Sequence, residues 1–190
     1  MQLLDHFGLL APFYDRIFAG YDPARLHAFL ALPARHLLDV GGGTGRISAA
    51  LVDQVELVVV ADASRPMLSA SRAKHGLGQS RAKAERLPFP DASFDRVLVV
   101  DAFHHFSDHQ TAADELLRVV APGGRLVVEE LNVERLPVKL IALGERLLLM
   151  GSHFYRPQTL ARMFEARGGR VTMHLDDMTS MWMVAEKAGM

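Results

Sequence analysis

Hydrophobic and polar positions along this chain switch between two periods. Residues 36–40 (HLLDV), 56–61 (ELVVVA), 94–100 (FDRVLVV) and 124–130 (GRLVVEE) are short runs rich in Val and Leu, the composition of strands buried on both faces of a parallel sheet. Helical spacing separates them. It appears at Ile47, Ala50 and Leu51, then at Met67, Leu68 and Ser71 behind Ser64 as N-cap, then at Ala112, Leu116, Val119 and Val120. A weaker strand is expected over Ser80–Ala84, followed by a loop through the two prolines of LPFPDASFD. Such strand and helix alternation predicts a doubly wound α/β sheet.

Past Glu130 the pattern changes. Residues 136–150 (LPVKLIALGERLLLM) read as one largely apolar helix broken by Lys139, Gly144, Glu145 and Arg146, too short and too charged to span a bilayer. A later helix carries Leu160, Met163 and Phe164 on one face and stops at Gly168–Gly169 in a left-handed cap. Strands at about 170–175 and 180–186 should close the sheet as an antiparallel hairpin. Without repeats or a Pro/Gly/Ser-rich linker, residues 1–190 are expected to be one domain. Its parts would be N-terminal cap helices over 1–34, a core over 35–130, a variable segment over 131–156, and a closing helix with strands over 157–190.

Composition narrows the chemistry. The 190 residues carry 21 Lys plus Arg against 22 Asp plus Glu, so no basic excess favours a nucleic-acid backbone. With no cysteine, thiolate nucleophiles, Cys-ligated zinc and iron–sulfur clusters are excluded, and a cytoplasmic protein fits. MQLLDHFGLLAPFYD, with Asp5 and Asp15 and no basic leader, resembles neither a secretory signal nor an anchor.

Of 15 glycines, four fall within five positions, at Gly41, Gly42, Gly43 and Gly45. They lie where the first strand hands over to the first helix, the place where open parallel sheets bind nucleotide-like ligands. Without Cβ atoms, Gly41, Gly43 and Gly45 can adopt φ values closed to other residues and let a ligand lie against the backbone; a tight turn without ligand is the plainer alternative. The dinucleotide pattern G-x-G-x-x-G fails at Arg46 and no Gly-Lys-Ser/Thr follows, which disfavours a nicotinamide-dependent oxidoreductase and a Walker loop. D-x-G-x-G-x-G from Asp39 to Gly45 fits instead. Asp62 ends the second strand on the same sheet edge, where a carboxylate can accept both hydroxyls of a ribose, or simply cap the next helix.

With LDVGGGTGR, VVVADASRPML, AKAERLPFPDASFDRVLVV, DAFHHF and ELLRVVAPGGRLVVEE in this order, the chain resembles a class I S-adenosylmethionine-dependent methyltransferase. The likeness is greatest to the type 11 group that includes the ubiquinone/menaquinone C-methyltransferases, and it covers roughly residues 35–130. It implies a Rossmann-like, doubly wound seven-stranded sheet, mostly parallel, with an antiparallel last strand. It also implies S-adenosyl-L-methionine as methyl donor and S-adenosyl-L-homocysteine as product. By the same resemblance Gly41, Gly43 and Gly45 line the amino-acid portion of the cofactor with Asp39 supporting the loop, Asp62 holds the ribose, and Ala63 and Met67 pack beside the adenine. Ala84 contributes its backbone amide. Where relatives place an acidic residue near the adenine amino group this chain has Lys83, which cannot accept a hydrogen bond when charged, leaving Glu85 as a substitute. Asp101 would lie near the methionine end, and Tyr14 with Asp15 resembles a segment that covers the cofactor.

Methyl transfer from a sulfonium needs alignment more than acid–base chemistry, and a base only where the acceptor must first lose a proton. His105 and His104 are the candidates for that base, the alternative being a pair that bonds local backbone ahead of a helix. No metal is expected, since the i, i+4 pair His105 and His109 lacks a third ligand. Glu129, Glu130 and Asn132 end the fifth strand, facing the substrate crevice or, as the default for edge carboxylates, solvent. The segment with Leu136, Leu140, Ile141, Leu147, Leu148, Met150, His153, Phe154 and Tyr155 suits a lid for an apolar or aromatic small-molecule acceptor, a covered core helix, or a homodimer surface. A cofactor-binding protein without methyl transfer, a sensor or partner subunit, is the alternative function.

Overall fold

In the computed structural model, residues 23–135, 138–139, 152–176 and 179–189 are described. Seven strands form one sheet: β1 (Ala34–Val40), β2 (Val55–Asp62), β3 (Leu77–Arg81), β4 (Phe94–Val100), β5 (Val120–Leu131), β6 (Gly169–Leu175) and β7 (Ser180–Lys187). Their order is β3-β2-β1-β4-β5-β7-β6. The pairs β1–β2, β1–β4, β2–β3 and β4–β5 are parallel, and β7 runs antiparallel between β5 and β6. The terminal hairpin and the fold class expected from the sequence are both present. Strand order reverses between β1 and β4, so a crevice opens between their carboxyl ends.

Alternate residues of the central strands feed two cores. Leu38, Val97, Val99, Leu126 and Val128 face one side with Leu116 of α4 (His109–Val119) and Leu160 and Phe164 of α5 (Pro157–Glu165). Leu37, Leu98 and Val127 face the other with Leu26 and Leu30 of α1 (Pro23–Leu30) and with Ile47 of α2 (Arg46–Ala49). Coverage on both faces is why these strands read as unbroken apolar runs.

Side chains satisfy the helix ends. The Arg96 guanidinium donates to the Leu30 carbonyl and, at 3.1 Å, to that of Ala31, while Arg125 reaches the Phe29 carbonyl, closing the C-terminus of α1. Asp108 caps α4 by accepting from the backbone N–H groups of Gln110 and Thr111. Lys187 of β7 donates to the Leu117 and Val120 carbonyls at the other end of that helix. Gly168, at φ +83°, follows α5 as expected.

Four boundaries differ from expectation. β3 begins and ends three residues early, because Gly76 (φ +78°) turns the chain into it and the Lys83–Arg86 turn follows it. β5 begins four residues early, since Val120 already pairs with Phe94. The helix after the glycine loop is a single turn, followed by a 3₁₀ turn at Val52–Gln54. Ser64 stands at the N-cap of α3 (Arg65–Ser71) but makes no side-chain capping bond there. Of the apolar 136–150 segment only Val138 and Lys139 are described, both helical; its remaining residues lie outside the described ones.

Candidate functional site

The glycine loop leaves β1 at the reversal point. Gly41, Gly43 and Gly45 take φ of +74°, +56° and +69°, a region costly for any residue with a Cβ. Their surroundings differ. A Cβ on Gly41 would lie 2.6 Å from the Ala102 Cβ, and one on Gly45 2.6 Å from Leu77 Cδ1; both glycines let the loop pack on the protein itself. Among the described residues, a Cβ on Gly43 would make ordinary van der Waals contact with Met67 Sδ at 3.7 Å and Asp62 Oδ2 at 4.0 Å. That position lies beside the two residues expected at ribose and adenine.

Asp62 is fixed by its neighbours. Its Oδ2 accepts from the Gly43 N–H at 2.9 Å and its Oδ1 from the Ser64 N–H at 2.7 Å. The carboxylate thus ties the glycine loop to the end of β2, which includes the cap geometry foreseen as an alternative. Asp39 lies beneath the loop, 1% exposed, with Oδ2 accepting from Ser48 Oγ at 2.6 Å and Oδ1 buried without a hydrogen-bond partner among the described residues. Burial pushes its carboxyl up to about 6 against the Ser48 bond, and the nearby Asp62 charge adds to the rise. A Cβ on Gly42 would collide with this carboxylate, so Asp39 supports the loop from beneath.

Further residues fall at the same edge. Met67 is buried and Ala63 exposed. Ala84 is 5% exposed and belongs to the α4-side core. Glu85 is held by the chain itself: its Oε1 accepts from the Ser107 N–H, the Ser107 hydroxyl and the Asp108 N–H. Those bonds hold its carboxyl low against a burial effect that raises it, so through Oε1 Glu85 anchors the loop ahead of α4. Lys83 is exposed. Tyr14 and Asp15 lie outside the described residues.

After β4, Asp101 sits at φ +48°, strained for a residue with a Cβ, and its N–H donates to the Glu129 carbonyl. A 3₁₀ turn, Phe103–His105, follows. His104 and Glu130 are each 3% exposed, with Nδ1 of the imidazole 2.6 Å from Glu130 Oε2. Glu130 Oε1 accepts the Phe103 N–H at 2.6 Å and the His104 N–H at 3.3 Å. Solvation of the edge carboxylates is thereby overturned: Glu130 and Asn132 are buried, and Glu129, desolvated beside Asp101 and Glu130 and bonded by Ser180, is raised to about 7. Asp101, His104 and Glu130 bring one oxygen or nitrogen each within 4.8 Å of one another, but Glu130 commits both oxygens to N–H donors, as in an ion-pair network.

His105 differs from its neighbour. Burial and the His104 imidazole lower it to about 3, too weakly basic to hold a proton at neutral pH, and its Nδ1 pairs with Ser152 Oγ at 3.1 Å. His104, the other expected base, has the Glu130 carboxylate as its partner. His105 and His109 are not successive turns of a helix, because extended residues separate them. The segment ahead of α5 closes over this turn: the His153 N–H donates to the His104 carbonyl at 2.8 Å, and Phe154 stacks on the His104 ring at 4.4 Å. Phe103, Tyr155, Leu160 and Met181 pack around His104 and Glu130 and leave no room for a water between them. Sequence reasoning missed the Glu130–His104 pair and the Phe154 stack, which join residues 26 and 50 positions apart; the alternation of β5, which turns Glu130 to the Val128 side, was the available signal.

Residues 38–128 match a family model described as a methyltransferase domain. The chain is 43% identical over 103 residues to a demethylmenaquinone methyltransferase of Thermus thermophilus, covering 50% of this chain and 47% of that protein. It is 38% identical over 140 residues to one of Deinococcus radiodurans, covering 65% and 58%. The chain therefore spans about half the length of these curated relatives. In fold it is similar to an S-adenosylmethionine-dependent methyltransferase of Aquifex aeolicus, with a TM-score of 0.72, 19% identity and coverage of 95% and 96%. Among the described residues no helix is long and apolar enough to cross a membrane.

Proposed function

We propose that this chain, whose residues 38–128 match a methyltransferase-domain model, transfers a methyl group from S-adenosylmethionine to a small-molecule acceptor. The glycine loop at positive φ, tied by the Gly43 N–H to Asp62 beside Met67, is the observation that carries this reading. When bound, S-adenosylmethionine supplies an electrophilic methyl carbon on a cationic sulfur.

Each residue at the edge has its task. Asp62 accepts the ribose hydroxyls, oriented for this by the Gly43 and Ser64 amides. Gly43 admits the amino-acid portion to the backbone, Gly41 and Gly45 pack the loop on the protein, and Asp39 supports it from beneath. Met67 and Ala63 flank the adenine, with Ala84 contributing its amide. Asp101 lies toward the sulfonium, where its charge opposes a cation favourably. His104 accepts a proton where the acceptor must lose one, and neutral His105 supplies a hydrogen bond.

The acceptor we propose is apolar or aromatic, and finer still a quinone-type ring. Phe103, Phe154 and Tyr155 around His104 support the first, and the names of the Thermus and Deinococcus relatives the second. Calorimetric titration of S-adenosylhomocysteine tests the site: Asp62→Ala should weaken binding about 10- to 100-fold, the worth of charge-assisted hydrogen bonds. Equal affinity in wild type and variant would remove Asp62 from the site. Tight binding without any methylated product would instead leave a protein that only binds the cofactor.

A further inference from the structure

The turn after β4 is roofed by residues 152–155, the stretch ahead of α5, and each of these four residues meets an imidazole. Ser152 Oγ lies 3.1 Å from His105 Nδ1. The His153 N–H donates to the His104 carbonyl at 2.8 Å, and the His153 ring lies 5.5 Å from that of His109. Phe154 stacks on His104 at 4.4 Å, and Tyr155 stands edge-on to His109 at 5.0 Å. His109 Nε2 is buried without a hydrogen-bond partner among the described residues, so a proton there would put a cation where no acceptor waits for it. His109 also opens α4, where the helix dipole opposes positive charge. We propose that residues 152–155 are an acid-released strap: while the imidazoles of His105 and His109 are neutral it lies over the turn after β4, and when they gain protons it lifts and uncovers that turn. With the strap down, the packing around His104 and Glu130 leaves no room for a water. Its release opens that end of the crevice.

Several groups bear on these two rings. Burial and then the His104 imidazole, 3.9 Å away between ring centres, hold His105 down to about 3. Burial and then His153 lower His109, against the His104 carbonyl and the carboxylates of Glu130 and Glu85, which favour its charged form. Asp108 is a further carboxylate beside it at the N-cap of α4, and Asp101 reaches the His104 side of the cluster. Tyr155 brings a neutral phenol from the strap, and Arg167, at the end of α5, is already paired with Asp114. Both rings therefore take a proton less readily under the strap than in the released segment. Docking is complete above the ordinary imidazole value of 6.5. It weakens as pH falls below that value, by up to about tenfold per pH unit for each ring until the ring's docked value is reached. For His105 alone, going from about pH 7 to about pH 5 weakens docking roughly 25-fold.

The strap is tested on the whole chain without cofactor or acceptor. Hydrogen exchange read by mass spectrometry on a peptide covering residues 152–156, corrected for the intrinsic pH dependence of exchange, reports opening through the His153 amide. A peptide from β4 reports global unfolding in the same samples. Protection of the strap should fall at least about tenfold between about pH 7 and about pH 5 while β4 stays protected. The double variant His105→Asn with His109→Phe keeps an amide for Ser152 and a ring for Tyr155 but gains no protons, and its strap protection should be flat across the interval. Constant protection in wild type, a loss shared with β4, or an undiminished pH dependence in the double variant would each overturn the proposal, and the first two need no variant. Cofactor binding and methyl transfer enter none of these measurements, so the strap and the methyltransferase reading stand or fall separately.

Discussion

Asp39 offers a sharp physical test, because burial holds its carboxyl at about 6 where the unfolded chain would have 3.8. A raised folded-state value means that the neutral acid is preferred in the fold. The site's stabilisation is thus complete below the unfolded value and is lost as pH rises through about 6. The difference of roughly two units corresponds to about 3 kcal/mol between the two limits; integrating from about pH 7.5 down to about pH 4.5 gives roughly 2 kcal/mol. Asp39→Asn cannot ionise, so it isolates this contribution from every other titrating group. Urea unfolding of both proteins without cofactor, at several pH values across that interval, should show wild type gaining roughly 2 kcal/mol relative to the variant as pH falls. In thermal melts the same change is about 4–8 °C for a chain of this size. A flat difference across the interval would refute the buried, underpaired carboxyl beneath the glycine loop.

Other outcomes follow from the same geometry. Gly41→Ala, whose Cβ would lie 2.6 Å from that of Ala102, should lower the melting temperature clearly. Gly43→Ala, whose Cβ would make only ordinary contacts with Met67 and Asp62 and must mainly overcome the positive φ, should cost about 1 kcal/mol of stability while weakening S-adenosylhomocysteine binding at least about tenfold by calorimetry. Glu129, raised to about 7 mainly by burial, adds stability that is lost as pH rises from the unfolded value of 4.5 through 7; Glu129→Gln should flatten the stability profile between about pH 4.5 and pH 7. Arg96→Met removes the donors to the Leu30 and Ala31 carbonyls and should cost about 2–3 kcal/mol in chemical unfolding.

The sequence and the structure agree where local composition carries the information. The Val- and Leu-rich runs of β1, β2, β4 and β5 announce burial on both faces by themselves, and Asp39 to Gly45 announces the loop through glycines whose φ values require them. β3 is less legible because Leu77 is its only large apolar residue, in an edge strand reading LGQSR. Polar partners are the least legible. Glu85 reads as a free carboxylate until the fold brings Ser107 and Asp108 to it, and Glu130 reads as a solvated strand end until the turn after β4 delivers His104. Nothing in a local window encodes a hydrogen bond across 26 positions.

The central claim is methyl transfer, and the most direct measurement follows the methyl group itself. Purified protein incubated with S-adenosylmethionine carrying a ¹³C-labelled methyl, together with a cell metabolite extract and, separately, reduced demethylmenaquinone, is examined by mass spectrometry for products that gain the label. The account predicts one labelled small-molecule product formed alongside S-adenosylhomocysteine, absent from the boiled control and strongly diminished in Asp62→Ala. Retention of the label on intact S-adenosylmethionine in every mixture, with the cofactor demonstrably bound, would contradict it.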